Sequence, residues 1–491
     1  MEEETDNLPL LCHSAPNSVS QNQHHVKDQT EPLSKRTCIE SKKLWHIVGP
    51  AIVNRISSFS IIVISQAFAG HLGDLQLAAF SIAGNVVIGF TFGFLLGMAS
   101  ALETLCGQAF GAKKYRLLGV YMQRSWIVLL CCCVLLLPLY LFVSPIMKLL
   151  GQPPDVAELS GVVSLWMIPL HFSFAFQFPL QRFLQSQLKT GPIAWASLVA
   201  LGVHVVASYL VVYWLHLGVI AIAVTLSISW WIVWLGLFAY TVCGGCPDTW
   251  TGFSVEAFSH LWDFAKLSAA SGVMLCLENW YYRILILMTG TVKDAEIALD
   301  ALSICLSISG WEMMIPLAFF VGTGVRVANE LGAGSGKGAK FATIVSVATS
   351  TIIGLLICLS ILIFNDEIAL LFTTSEPVLK AVSELKLLLA STILLNSVQP
   401  VLSGVAIGSG WQSYVAYINL ACYYLIGVPL GVLLGWTFQH RVAGMWAGMV
   451  VGGTGLQTLI LAVITIRCDW EEEARKARQH VKKWESISQE Q

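Results

Sequence analysis

The sequence predicts an all-α polytopic membrane protein with about twelve transmembrane helices in two related halves. Three observations predict it. Only 12% of the 491 residues are charged while 56% are hydrophobic, whereas a soluble chain carries roughly 25% charged residues; mean hydropathy is +0.70. Apolar runs of about 20 residues, enough for a helix to cross about 30 Å of hydrocarbon, recur along most of the chain. Short motifs also return at an offset of about 220 residues.

The elements follow in order. Residues 1–43 are polar and hold no apolar core of roughly 7–15 residues, so they read as a disordered cytosolic tail rather than a cleaved signal. Spans are predicted near 45–69, 76–100, 121–146, 158–180, 191–213, 217–241, 263–289, 297–323, 340–363, 380–404, 411–434 and 442–466. The halves are then 44–241 and 263–466, joined by a linker at 242–262, and 467–491 is a charged tail that forms a short surface helix. An even number of spans puts both ends on one side. Lys35, Arg36, Lys42 and Lys43, then Lys113, Lys114 and Arg116, then Arg182 and Lys189, then Lys337 and Lys340 lie on that side, while the opposite loops hold mainly Lys148, Lys293 and Arg441. The positive-inside rule makes that side cytosolic.

"GQAFGAKKY" (Gly107 to Tyr115) follows span 2 and "NELGAGSGKGAK" (Asn329 to Lys340) follows span 8; "LKTGPIAW" (Leu188 to Trp195) and "IGSGWQSY" (Ile407 to Tyr414) open spans 5 and 11. Six spans therefore repeat in the same orientation, an architecture of carriers. The net charge of −2 gives no reason to expect nucleic acid. The 13 Cys lie mostly in apolar runs and read as small hydrophobes. "CGGC" (Cys243 to Cys246) has neither a second pair nor neighbouring histidines, so no metal site is expected.

"GMASALETLCGQAFGAKKY" (Gly97 to Tyr115), "VRVANELGAG" (Val325 to Gly334) and "LSGVAIGSGWQ" (Leu402 to Gln412) resemble the signatures of plant multidrug and toxic compound extrusion (MATE) transporters, the DETOXIFICATION proteins. The resemblance spans residues 44–467 and is closest to the branch of transparent-testa-type vacuolar flavonoid carriers. It implies the MATE fold, with two six-helix lobes facing each other in a V around a central cavity. It also implies cation-coupled antiport of small organic compounds, with a proton gradient as energy source, no cofactor and no enzymatic activity.

Beside the resemblance, the intramembrane charges carry a reading of their own. Glu278 lies near the middle of span 7, where an acidic side chain costs roughly 2.5–3.5 kcal/mol. Either it binds and releases protons, as the resemblance implies for a span-7 acid, or it is permanently paired with Arg283. Five residues on a helix turn about 140° past one full turn, so the two do not share a face, whereas Tyr282 and Glu278 do. In many plant members the span-10 motif has an Asp before "S-V-Q"; here "LLNSVQPVL" has Asn396, which cannot titrate. Asn396 and Gln399 then bind hydroxyls or orient Glu278. Glu312, in "SGWEMMIPL", is either a replacement titrating site or one that lines a wet cavity. In span 1, Asn54 and Arg55 stand where the family's N-lobe acid is absent, which argues against a proton or sodium site there. Trp280, Tyr282 and Trp311 are deep enough to stack on a planar substrate, although core packing is the expected role of each taken alone.

At the cytosolic ends, Glu103, Gln108, Arg326 and Glu330 read either as interfacial anchors or as a gate hydrogen-bonded between the lobes. "GFLLG", "GQAFG" and "GVPLG" have the small-xxx-small spacing of close helix packing within a lobe, and Pro316, Pro400 and Pro429 lie inside spans where they kink helices. His171 and His204 stand alone in apolar runs and read as satisfied bundle residues. "DNLPLL" fits an acidic dileucine sorting motif, with Asp6 four residues before Leu10 and next to it Leu11. It implies an adaptor and the vacuolar membrane; the plasma membrane is the alternative. The expected partners are otherwise an organic substrate, protons and lipid, around a monomer. A plasma-membrane exporter of cationic xenobiotics or hormones and a passive anion pathway are the alternative functions.

Overall fold

Helix follows helix because long apolar segments in a bilayer must satisfy their backbone groups internally. The computed structural model describes residues 32–289, 295–437 and 441–489. Its units are Met1–Lys43 and Leu44–Gln491, and the described part of the first is helical from Leu33. Long helices run as α1 (Leu33–Leu72), α2 (Asp74–Gly111), α3 (Tyr115–Leu141), α4 (Pro154–Trp166 and Ile168–Ser186, bent by 44°), α5 (Gly191–Trp214) and α6 (Gly218–Gly245). The second series is α7 (Leu261–Thr289), α8 (Ala295–Gly332), α9 (Gly336–Ile363), α10 (Glu376–Asn396 and Gln399–Ser409), α11 (Gln412–Gly435) and α12 (Val442–Arg467). Helix α13 (Trp470–Gln489) closes the chain.

Among the described residues nine helices are long and apolar enough to span a membrane, or ten with the bent α4. The remaining two expected spans are α7, whose apolar run is interrupted by Glu278, Asn279 and Arg283, and α10, broken before Gln399. Three boundaries move outward. Helix α1 starts at Leu33 rather than near residue 45, its first turns carrying the Glu40–Lys43 pair one turn apart. Helices α2 and α8 continue through Gly111 and Gly332, so the motifs expected to follow these spans form their last turns.

Apolar packing divides with the repeat. One large cluster joins α1 to α6 and takes in Phe264, Val481 and Trp484; another joins α7 to α12. Helix α1 is shared, because Leu44, Val48 and Ala51 pack on Ala318, Phe319 and Val401 of the second half. The linker is pinned to the first half: Gln123 donates to the Gly252 carbonyl at 3.0 Å and Arg124 to that of Glu256 at 3.1 Å. His204 ties α5 to α1 and α6 through Ser65 at 2.9 Å and Ser229 at 3.0 Å.

The glycine spacing signals close packing: Gly427 and Gly431 of "GVPLG" pack within the second half, against Gly453 and Met445, whereas "GFLLG" and "GQAFG" pack between the halves. A Cβ on Gly97 would meet the Gly272 Cα at 2.8 Å, one on Gly107 the Ala328 Cβ at 2.5 Å, and one on Gly111 the Asn329 carbonyl. Only hydrogen side chains let α2 approach α7 and α8 this closely.

Candidate functional site

Two features of α11 and α12 shape the site. Each contains a wide π-helical stretch, Leu420–Gly427 and Val450–Gly455, of the kind often found at functional positions. The first begins immediately after Asn419 and the second ends two residues before Gln457. Carbonyls at such register changes are available to side chains, and Tyr281 donates to Met449 at 2.6 Å while stacking on Tyr423 at 4.4 Å. Tyr423 in turn donates to Gln457 Oε1.

Glu278 projects into this frame. Its Oε1 accepts from Gln399 Nε2 at 3.2 Å, Asn419 Nδ2 at 3.1 Å and Gln457 Nε2 at 3.1 Å, with the Ser403 hydroxyl at 3.5 Å. Gln457 also donates to Asn419 Oδ1 at 2.6 Å, so the donors hold one another in place. The carboxylate thus meets dipoles from α10, α11 and α12 without a countercharge among the described residues. Arg283 is not its partner; that guanidinium lies against Gly89 of α2.

The same Glu278 lines a cavity of about 350 Å³ between the halves. Phe59, Phe92, Trp230, Phe320 and Tyr423 give it aromatic walls, and Arg55 and Glu278 are its ionisable lining residues. Gln399 is the one expected substrate residue that lines it. Asn54 is turned away, accepting from Ser197 at 2.7 Å. Trp280 and Trp311 lie outside the lining, edge-on to Phe90 at 5.6 Å and to Phe59 at 4.8 Å. Asn396 is buried outside the lining, and the Tyr282 side chain is outside the described residues. Glu312 is buried beside the cavity, both carboxyl oxygens lacking a hydrogen-bond partner among the described residues.

Toward the positive-inside end the halves meet. Thr104 donates to the Ile407 carbonyl at 2.5 Å, Gln108 to that of Gly408 at 3.3 Å, and Asn329 to that of Ser186 at 3.3 Å. Thr104 lies eight residues beyond the cavity residue Leu96, about 12 Å along α2. Of the four expected gate residues, Gln108 makes a bond between halves. Glu103 pairs with Arg182 of its own half at 2.7 Å, its Oε1 facing Gly324 of the other. Arg326 and Glu330 pair along α8 at 2.6 Å. Asp6, Leu10 and Leu11 lie outside the described residues. Asn419, Ser403 and Gln457 escaped the sequence reading, although polar side chains inside apolar spans were the available signal.

Known proteins resemble this chain in sequence and fold. A family profile described as MatE matches residues 50–210 and 270–433. Protein DETOXIFICATION 27 of Arabidopsis thaliana is 66% identical over 94% of this chain and 95% of its own length. Protein DETOXIFICATION 26 of the same plant is 60% identical over 94% of each. The eukaryotic MATE transporter AtDTX14, known from a crystal structure, superposes with a TM-score of 0.86 at 34% identity over 91% of this chain and 99% of its own. With its sequence repeat, its cavity between halves and these relatives, the chain belongs to the MATE family of membrane transporters, among the plant DETOXIFICATION proteins.

Proposed function

We propose that this transporter exports organic compounds from the cytosol in exchange for protons, and that Glu278 carries the proton. The observation that carries this reading is the position of Glu278, on the wall of the cavity between the halves and braced by four neutral donors. Such a carboxylate is held in place without a permanent ion pair, so it is free to change charge during transport. Its Oε1 takes these donors, and Oε2 accepts no hydrogen bond among the described residues. A proton there and a substrate hydroxyl or amine compete for the same oxygen, which couples the two flows in opposite directions.

Flavonoids and other secondary metabolites, together with xenobiotics, are the proposed cargo, and the vacuolar membrane the proposed site. Aromatic cavity walls support planar cargo. Glu312 is the proposed secondary titrating group, because it is a buried carboxyl without a hydrogen-bond partner among the described residues. In proteoliposomes with an acidic interior, Glu278→Gln is expected to abolish uptake driven by the pH gradient while the protein remains folded. Undiminished uptake would remove Glu278 from the coupling, and loss in Glu312→Gln alone would transfer the role to Glu312.

A further inference from the structure

The cavity holds a positive charge that antiport of protons does not use. Arg55 is a lining residue on α1, yet it makes no hydrogen bond or ion pair among the described residues. The charges acting on it are Arg182 and Glu103, which are already paired with each other at 2.7 Å and so largely cancel. A guanidinium stays protonated under all physiological conditions. Holding it uncompensated in an apolar wall at mid-membrane is costly, and such groups are found paired or facing a pathway. Water in an open cavity offsets part of that cost; an anion offsets more.

The other charged lining residue differs. Glu278 already has its donors, and its charge disappears whenever it takes up a proton. The lasting ionic feature of the cavity is therefore the cation at Arg55. The same cavity is lined by Phe59, Phe92 and Trp230 of the first half, faces on which a flat ring can stack.

We propose that Arg55 is the substrate anchor, and that the cargo is a planar aromatic organic acid whose far end carries a hydroxyl or amine donor. The acid group pairs with the Arg55 guanidinium, with the geometry of a bidentate carboxylate contact available to it. The ring lies between the aromatic walls, and the donor reaches the free oxygen of Glu278. Protonation of Glu278 then removes the far contact and leaves the acid end to dissociate. This specifies the cargo of the antiport proposed above and rests on that reading for the role of Glu278, but not for the charge preference itself.

The test is equilibrium binding to the full chain in nanodiscs at a single pH, with no gradient, using radiolabelled 6-hydroxy-2-naphthoate, 2-naphthoate, 2-naphthol and 2-naphthylmethylammonium. Both naphthoates are expected to bind at least about tenfold more tightly than the ammonium, as for a charge-assisted contact, with the hydroxylated acid tightest. Arg55→Gln is expected to lose about tenfold for the two acids and to leave 2-naphthol unchanged; Arg55→Lys, which keeps the charge, is expected to retain most of the preference. Equal or tighter binding of the ammonium by the unsubstituted protein overturns the proposal whatever the variants do. An unchanged ratio of acid to naphthol in a folded Arg55→Gln protein overturns it too. Because no gradient is applied, failure of proton coupling in Glu278→Gln leaves this result standing, and the reverse also holds.

Discussion

At the scale of single residues, the Glu278 cluster behaves as one unit, because each donor is fixed by another. Gln457 donates to Glu278 and to Asn419, while receiving from Tyr423. Replacing Gln457 by Leu keeps volume but removes one of the donors to the carboxylate and the amide that Asn419 Oδ1 accepts from, and an unsatisfied buried group costs about 1–3 kcal/mol. Gln457→Leu is expected to cut gradient-driven transport by about tenfold or more and to lower the melting temperature. Asn419→Leu should do nearly the same, and the double variant little worse than either, since residues in one network are not additive. Additive losses in transport would mean that the two amides act independently. Glu278 was legible in the sequence because a charge breaks an apolar run. Its amide partners were not, because a neutral Asn or Gln barely perturbs such a run, and depth along a helix does not tell which neighbour it faces. The same ignorance of azimuth explains Asn54, Trp280 and Trp311, which have the expected depth yet turn away from the cavity lining.

At the scale of elements, α13 bridges both halves at the end where α2, α8 and α10 meet. Lys114 reaches Glu485 at 2.5 Å and the Arg124 guanidinium lies 5.4 Å from the Trp484 ring, both contacts to the first half. Trp411 donates to Glu473 at 3.0 Å, and Trp470, Ala474 and Ala477 pack on Val327, Leu331 and Val405 of the second. Separation of the halves at this end must strip α13 from one of them. Its grip is expected to depend on pH. Trp484 donates to His480 Nε2 at 3.0 Å, which requires that nitrogen to be unprotonated. Burial, then the neighbouring Lys483, pushes the His480 imidazole below its ordinary value. A group with a lowered pKa when docked adds stability that is complete above its free value, about 6.5, and is lost as the pH falls through that value toward the docked one. Wild-type protein is therefore expected to lose more melting temperature than His480→Gln between about pH 7.5 and 5.5, since glutamine can accept from Trp484 at either pH. Parallel losses would rule out His480 as the titrating group. Ten of the expected spans were legible because hydropathy marks membrane crossings; the docking of α13 was not, because an amphipathic charged helix reads the same whether it binds lipid or its own protein.

At the scale of the whole molecule, the charge bias of the loops and the repeat of six spans predict both termini in the cytosol, and that predicted orientation sets which way a proton gradient would do work. One pH unit supplies about 1.4 kcal/mol per proton, so protons leaving an acidic compartment for the cytosol drive cargo into that compartment. In oriented vesicles with an acidic interior, cargo is expected to accumulate inside; accumulation on the alkaline side would exclude exchange in the proposed sense. Two compartments offer such a gradient to a plant carrier, the vacuole and the external wall space. The segment "DNLPLL" distinguishes them if an adaptor binds it, because Asp6, Leu10 and Leu11 have acidic-dileucine spacing in a polar stretch on the cytosolic side. Replacing Leu10 and Leu11 by Ala leaves every described helix untouched, so transport in proteoliposomes should be unchanged while a fluorescent fusion moves from the vacuolar to the plasma membrane. A fusion that stays at the vacuole after the replacement would remove the motif from the sorting step. If the unsubstituted protein is found at the plasma membrane, the same exchange exports cargo into the acidic wall space, and the vacuolar assignment is wrong while the direction of transport stands.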